Sequence, residues 1–214
     1  VAHLPTAQAL KQSAADVAIE FSEPRSVLAN LELCAEAGVP VVIGTTGWDA
    51  EFERALEIVD RSHIGCVTAS NFSIGVNLFL SLVRSASTML GAAGYDVFLH
   101  EAHHAGKKDA PSGTALRIGE AILEHHPVKE RMITAPPIGE AIAQEALLVS
   151  SVRAGTITGT HTVGFDSADD TIELTHHAKT RRGFATGAVR AAEWLRGRAG
   201  LYRFEDHVTD IIAS

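Results

Sequence analysis

Residues 101–115, EAHHAGKKDAPSGTA, hold an unusual density of groups that can do chemistry. Two adjacent imidazoles, His103 and His104, precede two adjacent ammonium groups, Lys107 and Lys108. A histidine titrates near neutral pH and can donate or accept a proton, and lysines can neutralise an anionic substrate. The segment therefore predicts proton transfer on an anionic molecule, although a solvated charged loop would have the same composition.

The end of this segment predicts the start of a helix. Pro111 and Ser112 precede Gly113 and Thr114, and an apolar pattern continues to about Glu124. The free N–H groups and the dipole at a helix N-terminus favour a bound carboxylate or phosphate, and a glycine there permits close approach to the backbone. We therefore expect an anion-binding helix start beside the two imidazoles.

Two other interpretations fit these side chains. Histidine pairs at 103–104 and 176–177 could supply metal ligands, but adjacent residues of a strand point to opposite faces, so each pair offers at most one ligand. No HExxH pattern or cysteine ligand accompanies them, and we predict no metal. Lys107 and Lys108 could also act only as a positive field, without a specific contact.

Composition narrows the class of protein. The chain has 214 residues and a net charge of −8, and its 18 basic against 26 acidic residues argue against nucleic-acid binding. Cys34 and Cys66 cannot form a disulfide framework, and their apolar surroundings predict reduced thiols in a cytoplasmic protein. The longest uncharged stretch, residues 65–83, has too many polar side chains for a membrane span.

The first part of the chain alternates strands and helices. Buried strands are expected at 16–21, 39–43 and 64–69, with helices between them. This order predicts a Rossmann-like parallel sheet, in which ligands bind beyond the carboxyl ends of the strands. The turns at those ends lie at residues 21–22, 44–47 and 69–72.

The pattern changes after Tyr95. We expect a strand at 97–103, a helix from Ser112, three further strands in a mostly antiparallel sheet, and a final helix near residues 184–196. The fold class is thus α/β, with a Rossmann-like sheet and an α+β domain. The expected domains are residues 1–72 for the dinucleotide, 73–183 for substrate and oligomerisation, and 184–214 packing back on the first.

Several segments together resemble one known family. The run HHAGKKDAPSGTA resembles the dihydrodipicolinate reductase signature HHxxKxDAPSGTA, with a match at every fixed position. DVAIEFSEP, GTTGW and ASNFSIGVN resemble further segments of that family, as do VRAGTITGTH and FATGAVRAAEWL. The resemblance implies reduction of a cyclic imine dicarboxylate, with a hydride from NADPH or NADH, in lysine and diaminopimelate synthesis. It also implies a homotetramer.

The resemblance also implies roles for individual residues. His103 resembles the family's proton donor and Lys107 its catalytic lysine. Substrate contacts are implied for His104, Gly113, Thr114 and Arg181. Contacts to the nicotinamide side of the cofactor are implied for Gly44, Thr45, Thr46, Ala69, Ser70, Asn71 and Phe72.

One family feature is not found in the chain. Family members begin with a strand and a GxxGxxG turn that holds the cofactor pyrophosphate, and no such turn follows a strand here. We expect that the N-terminal glycine-rich segment is missing by truncation. A non-catalytic fragment that keeps only an anion pocket is therefore one alternative, and another two-domain dehydrogenase is a second, against which the DAPSGTA loop argues.

Overall fold

The computed structural model describes residues 6–214, which form two compact units. The first unit contains the residues up to 77 together with 182–214, and the second contains residues 78–181. The helices are α1 (Ala7–Ser13), α2 (Val27–Ala37), α3 (Phe52–Ser62), α4 (Ile74–Ala92), α5 (Gly113–His125), α6 (Arg182–Leu195) and α7 (Phe204–Ala213). The strands are β1 (Ala18–Glu20), β2 (Val41–Ile43), β3 (Gly65–Thr68), β4 (Asp96–His103), β5 (Arg131–Ile133), β6 (Ala146–Arg153), β7 (Thr160–Asp166), β8 (Thr171–His177) and β9 (Gly200–Arg203).

The first unit is built on a parallel sheet, as the βα alternation predicts. Its strand order is β1-β2-β3-β9, and every neighbouring pair is parallel. Helix α2 follows a 3-10 turn that begins at Pro24, and it ends at Gly38, which has a φ of 69°. Glycine adopts this left-handed conformation without a Cβ clash. Apolar side chains of α2, α3, β2 and β3 form the core around Leu31, Ile43 and Val59.

The fourth strand of this sheet was not expected. Strand β9 comes from the C-terminal segment and pairs with β3, with Cys66 opposite Leu201. Helices α6 and α7, which flank β9, belong to the same unit. Helix α6 contacts β1, β2 and β3, and a Cβ at Gly187 would lie 1.7 Å from the Phe72 carbonyl oxygen. Only glycine allows the backbone to approach so closely there.

The second unit contains a mixed sheet in the order β5-β6-β4-β7-β8. The two longest ladders, β4–β7 and β7–β8, are antiparallel as expected. Strand β6, however, runs parallel to both of its neighbours, and β5 was not expected at all. Alternation along a strand shows which face is buried but does not show the direction of the partner strand, and β5 has only three residues.

The sequence is divided between the two units at different residues from those expected. The divisions lie inside α4, after Asn77, and at the first residue of α6, whereas residues 72 and 183 were expected. A helix that runs from one unit into the next carries no local sequence signal at the crossing point.

Helix α4 is long and apolar enough, by length and composition, to cross a membrane, and it is alone in this among the residues described. Several of its side chains are buried in the protein, including Val76, Leu80 and Val83. The core helix of a globular domain passes the same test. We therefore interpret α4 as a core helix.

Candidate active site

The carboxyl end of β4 places a carboxylate and an imidazole on one buried face. Side chains two apart on a strand point the same way, so Glu101 and His103 continue the buried row of Val97 and Leu99. Helix α5 packs against β4 and β6. Glu101 is fully buried, and one of its oxygens contacts Nδ1 of His103 in a short hydrogen bond.

Two further groups hold the other oxygen of Glu101. The Arg153 guanidinium donates to Oε1 at 2.6 Å, and the backbone N–H of Ser112 donates to the same atom at 3.3 Å. Arg153 ends β6 and is the register partner of His103 across the parallel ladder. A buried carboxylate is stable only when it is paired and hydrogen-bonded, and Glu101 meets both conditions.

These contacts change how the two groups titrate. Burial acts to raise the pKa of the Glu101 carboxyl, but the hydrogen bond from Arg153 and the neighbouring positive charges lower it on balance. Burial lowers the pKa of His103 below the ordinary value, although the charge and hydrogen bond of Glu101 oppose this. Glu101 is therefore a carboxylate at neutral pH, and His103 gives up a proton more readily than a free histidine.

A second buried histidine lies beside this pair. His161 of β7 is the register partner of Glu101, and its Nε2 lies 3.2 Å from the Ser112 hydroxyl. The hydroxyl of Ser112 also accepts the Ala115 N–H and thereby caps α5, as the sequence predicted. Burial lowers the pKa of His161 to about 4, so its ring is neutral at pH 7.

Ligand atoms of Glu101, His103 and His161 all lie within 4.8 Å of one another, a spacing that a metal ion could bridge. The other histidines considered as ligands from the sequence, at 104, 176 and 177, are not in this cluster. Both oxygens of Glu101 are already engaged, and Arg153 brings a positive charge to one of them. We therefore interpret the cluster as a hydrogen-bonded network.

The loop after β4 carries the predicted lysines. The Lys107 ammonium lies 2.7 and 2.8 Å from the two carboxylate oxygens of Asp109, and its side chain is partly buried. Lys108 is exposed. Arg153 donates to the Asp109 carbonyl oxygen at 2.6 Å, so one guanidinium holds both this loop and Glu101.

The predicted substrate residues fall into two groups. His104 and Arg181 line one open hollow of about 500 Å³, which we call the His104 hollow and which is completed by Gly106, Gly155, Thr156, Thr158 and Thr180. Gly113 and Thr114 are the first two residues of α5. Their N–H groups have no carbonyl partner within the helix, as at any helix start.

Some of the predicted cofactor residues surround a hollow in the first unit. This hollow of about 140 Å³, the Thr45 hollow, lies beyond the carboxyl ends of β2 and β3. Its lining includes Thr45, Thr46, Ala69 and Ser70, with Trp48 and Arg203. Sites for whole drug-sized ligands measure roughly 300–1,000 Å³, so this hollow is smaller than such a site.

The other predicted cofactor residues do not line the Thr45 hollow. Gly44 packs under Phe21, whose ring a Cβ would meet at 2.1 Å. The Asn71 side chain accepts the Ser73 N–H at 2.8 Å and shapes the turn. Phe72 is buried against the ring of Phe204, 5.0 Å between centroids, so only its main chain can face a ligand.

Sequence reasoning missed four residues around His103: Glu101, Arg153, His161 and Gly159, where a Cβ would lie 2.9 Å from Nε2 of His103. Glu101 had a local signal, because it lies two residues before His103 in a strand. The other three lie in the segment VRAGTITGTH, which carried the resemblance but suggested no role. Their place in the site depends on strand register, and a single sequence does not show it.

This architecture is typical of two-domain nicotinamide-dependent oxidoreductases: a parallel α/β unit with a hollow beyond its strand ends, joined to a unit with a buried carboxylate–histidine pair. Residues 3–72 match the family described as "Dihydrodipicolinate reductase, N-terminus", and residues 75–208 match "Dihydrodipicolinate reductase, C-terminus". The chain belongs to the dihydrodipicolinate reductase family, oxidoreductases of lysine biosynthesis that use NADH or NADPH.

Individual relatives agree with this assignment. A protein of Christiangramia forsetii named 4-hydroxy-tetrahydrodipicolinate reductase is 40% identical over 197 residues, which cover 92% of this chain and 80% of the relative. A protein of the same name from Chromohalobacter salexigens is 44% identical and covers 89% of this chain and 72% of the relative. The dipicolinate-bound dihydrodipicolinate reductase of Paenisporosarcina sp. TG-14 superimposes with a TM-score of 0.76 at 26% identity, covering 93% and 76% of the two chains.

Proposed function

We propose that the chain reduces 4-hydroxy-tetrahydrodipicolinate to tetrahydrodipicolinate, with His103 as the proton donor. The observation that carries the proposal is the placement of His103: its imidazole is held by a buried carboxylate at the start of a loop that carries Lys107. A nearly buried imidazole with one nitrogen occupied has only the other nitrogen available for chemistry. General acid catalysis needs a group of this kind.

The substrate's two carboxylates need cations and N–H donors. We assign these to Lys107, Arg181 and the N–H groups of Gly113 and Thr114, with His104 at the wall of the His104 hollow. The Lys107 ammonium is held by Asp109, and a substrate carboxylate would compete for it or share it. A bound nicotinamide would supply the hydride. The residues that would hold it are Thr45, Thr46, Ala69 and Ser70, with the main chains of Gly44, Asn71 and Phe72.

Substrate turnover tests this proposal. The purified chain is mixed with 4-hydroxy-tetrahydrodipicolinate and either NADPH or NADH, and loss of the reduced cofactor is followed with formation of tetrahydrodipicolinate. Calorimetry with dipicolinate measures the substrate site separately. Turnover with either cofactor supports the proposal. Dipicolinate binding without any turnover would instead support the alternative of a non-catalytic anion-binding fragment.

Two further expectations belong to the same proposal. We infer that the enzyme is a homotetramer and acts in the cytoplasm. The family resemblance supports the homotetramer. The two cysteines, Cys34 and Cys66, are both free and buried, which supports the cytoplasmic location. Sedimentation equilibrium of the purified chain tests the oligomeric state, and a monomer at micromolar concentration would contradict it.

A further inference from the structure

Glu101 is the most completely buried carboxylate among the described residues, and its role is not explained by binding substrate. Its side chain has no exposed surface, whereas that of His103 is 11% exposed. A buried carboxylate is costly unless it is fully paired. Its presence at the end of β4, in contact with the imidazole, therefore calls for a reason beyond packing.

The two oxygens of Glu101 have separate partners. One contacts Nδ1 of His103, and the other accepts from the Arg153 guanidinium at 2.6 Å and from the Ser112 N–H at 3.3 Å. A carboxylate is only an acceptor, so the shared proton lies on Nδ1 of His103. The second set of contacts prevents the carboxylate from rotating away from the ring.

The opposite nitrogen of His103, Nε2, lies beside Gly159. A Cβ at Gly159 would lie 2.9 Å from Nε2 and 3.2 Å from Cδ2 of the ring. The absence of a side chain at position 159 therefore leaves room beside Nε2. Glu101 occupies one nitrogen while Gly159 leaves the other accessible, and these two features together give the ring a single reactive atom.

We propose that Glu101 is a positioning residue, which accepts the Nδ1–H of His103 and so presents Nε2 as the proton-donating atom, while Arg153 holds the carboxylate in place. This inference rests on the proposed function and deepens it. Carboxylates that orient a catalytic imidazole in this way fix its tautomer and stabilise the imidazolium.

The charges that face His103 come from every element around it. Glu101 lies on its own strand, Arg153 on β6, Lys107 on the following loop and His161 on β7. The carboxylate of Asp109 on this loop is paired with the Lys107 ammonium, so Glu101 is the anion in direct contact with His103. Its loss therefore leaves His103 among cations and neutral groups, which destabilises the imidazolium.

The test uses Glu101→Gln and Glu101→Asp, with Glu130→Gln as an exposed control in the same unit. Nitrogen-15 NMR of labelled histidines reports the tautomer and titration of His103, which is assigned by comparison with His103→Gln. In the wild type we expect the Nδ1–H tautomer. In Glu101→Gln we expect the Nε2–H tautomer of His103 to appear and the titration of His103 to move to lower pH.

Kinetics give the second readout. We expect Glu101→Gln to lower kcat on the order of 10- to 100-fold, with KM changed far less. The alkaline limb of the pH profile should move to lower pH. Glu101→Asp keeps the charge, so its pH profile should stay near that of the wild type while kcat recovers in part. Glu130→Gln should match the wild type.

Three outcomes decide between the possibilities. A folded Glu101→Gln variant with unchanged tautomer and pH profile would overturn the positioning role. If that variant does not fold, Glu101→Asp decides, and an alkaline limb that moves to lower pH although the negative charge is kept would count against the proposal. If the wild type has no reductase activity, the proposed function fails, while the NMR titration still tests whether Glu101 sets the tautomer of His103.

Discussion

The ring of His161 lies edge-on to the ring of His103, with 5.2 Å between their centroids and 73° between their planes. Two imidazoles this close disfavour simultaneous protonation, because each positive charge lowers the pKa of the other. Burial already lowers the pKa of His161 to about 4. His161 is therefore a neutral neighbour of His103 at pH 7.

The pH dependence of catalysis should report His103. Burial lowers its pKa below the ordinary histidine value of 6.5, and a general acid is lost as pH rises through its pKa. We therefore expect kcat/KM, which reports the free enzyme, to fall on an alkaline limb below pH 6.5. A bound dianion stabilises the imidazolium, so the limb of kcat should lie at higher pH.

His103→Gln should lower kcat by about 10²–10⁴-fold. An unchanged kcat would remove His103 from the mechanism.

Acid stability should depend on His161. Its pKa is about 4 in the folded chain and near 6.5 when unfolded. Between these values only the unfolded chain takes up the proton, so stability is lost as pH falls from 6.5 towards 4, by about 3 kcal/mol at most. Urea midpoints at pH 7 and pH 4.5 should therefore differ less in His161→Gln than in the wild type. The exposed His177→Gln is the control, and equal shifts in both variants would contradict the assignment.

The two adjacent lysines should differ in importance. Lys107 is partly buried and oriented by Asp109, while Lys108 is exposed. Charge-assisted hydrogen bonds to a substrate carboxylate are worth roughly 1.5–3 kcal/mol. We expect Lys107→Ala to lower kcat/KM by about 10- to 100-fold and Lys108→Ala to remain near normal. Steady-state kinetics at low and high salt measure both. Equal losses of kcat/KM in the two variants, abolished at high salt, would indicate that the two lysines act only through their positive charge.

Gly159 should not tolerate a side chain. The methyl group of Gly159→Ala would lie 2.9 Å from Nε2 of His103, so the ring must move or the space beside it must close. Displacements of about 1 Å can cost roughly 10²-fold in rate. We expect a similar loss of kcat/KM. Gly183→Ala is a control, because its Cβ would meet only Ser73 Oγ at 3.6 Å. Normal kinetics for Gly159→Ala would show that Nε2 does not face the reacting atom.

Much of the molecule followed from local sequence patterns. The βα alternation predicted a parallel sheet, Gly38 predicted the end of α2, and Ser112 predicted the start of α5. Proline, glycine and capping residues act within a few residues of where they stand, so one sequence is enough to locate them. The pairing of imidazoles and ammonium groups in residues 103–108 likewise pointed to proton transfer near an anion.

The surroundings of His103 were decided only by the tertiary structure. Arg153 meets Glu101 across 52 positions of sequence, and His161 meets Ser112 across 49. Both contacts depend on the register in which β6 and β7 pair with β4, and a shift of one residue would turn these side chains to the opposite face. Strand β9 similarly joins β3 from the far end of the chain. Residue types and spacing specify which groups can react, and even place Glu101 beside Nδ1 of His103, whereas the packing of β6 and β7 against β4 determines what holds that pair in place.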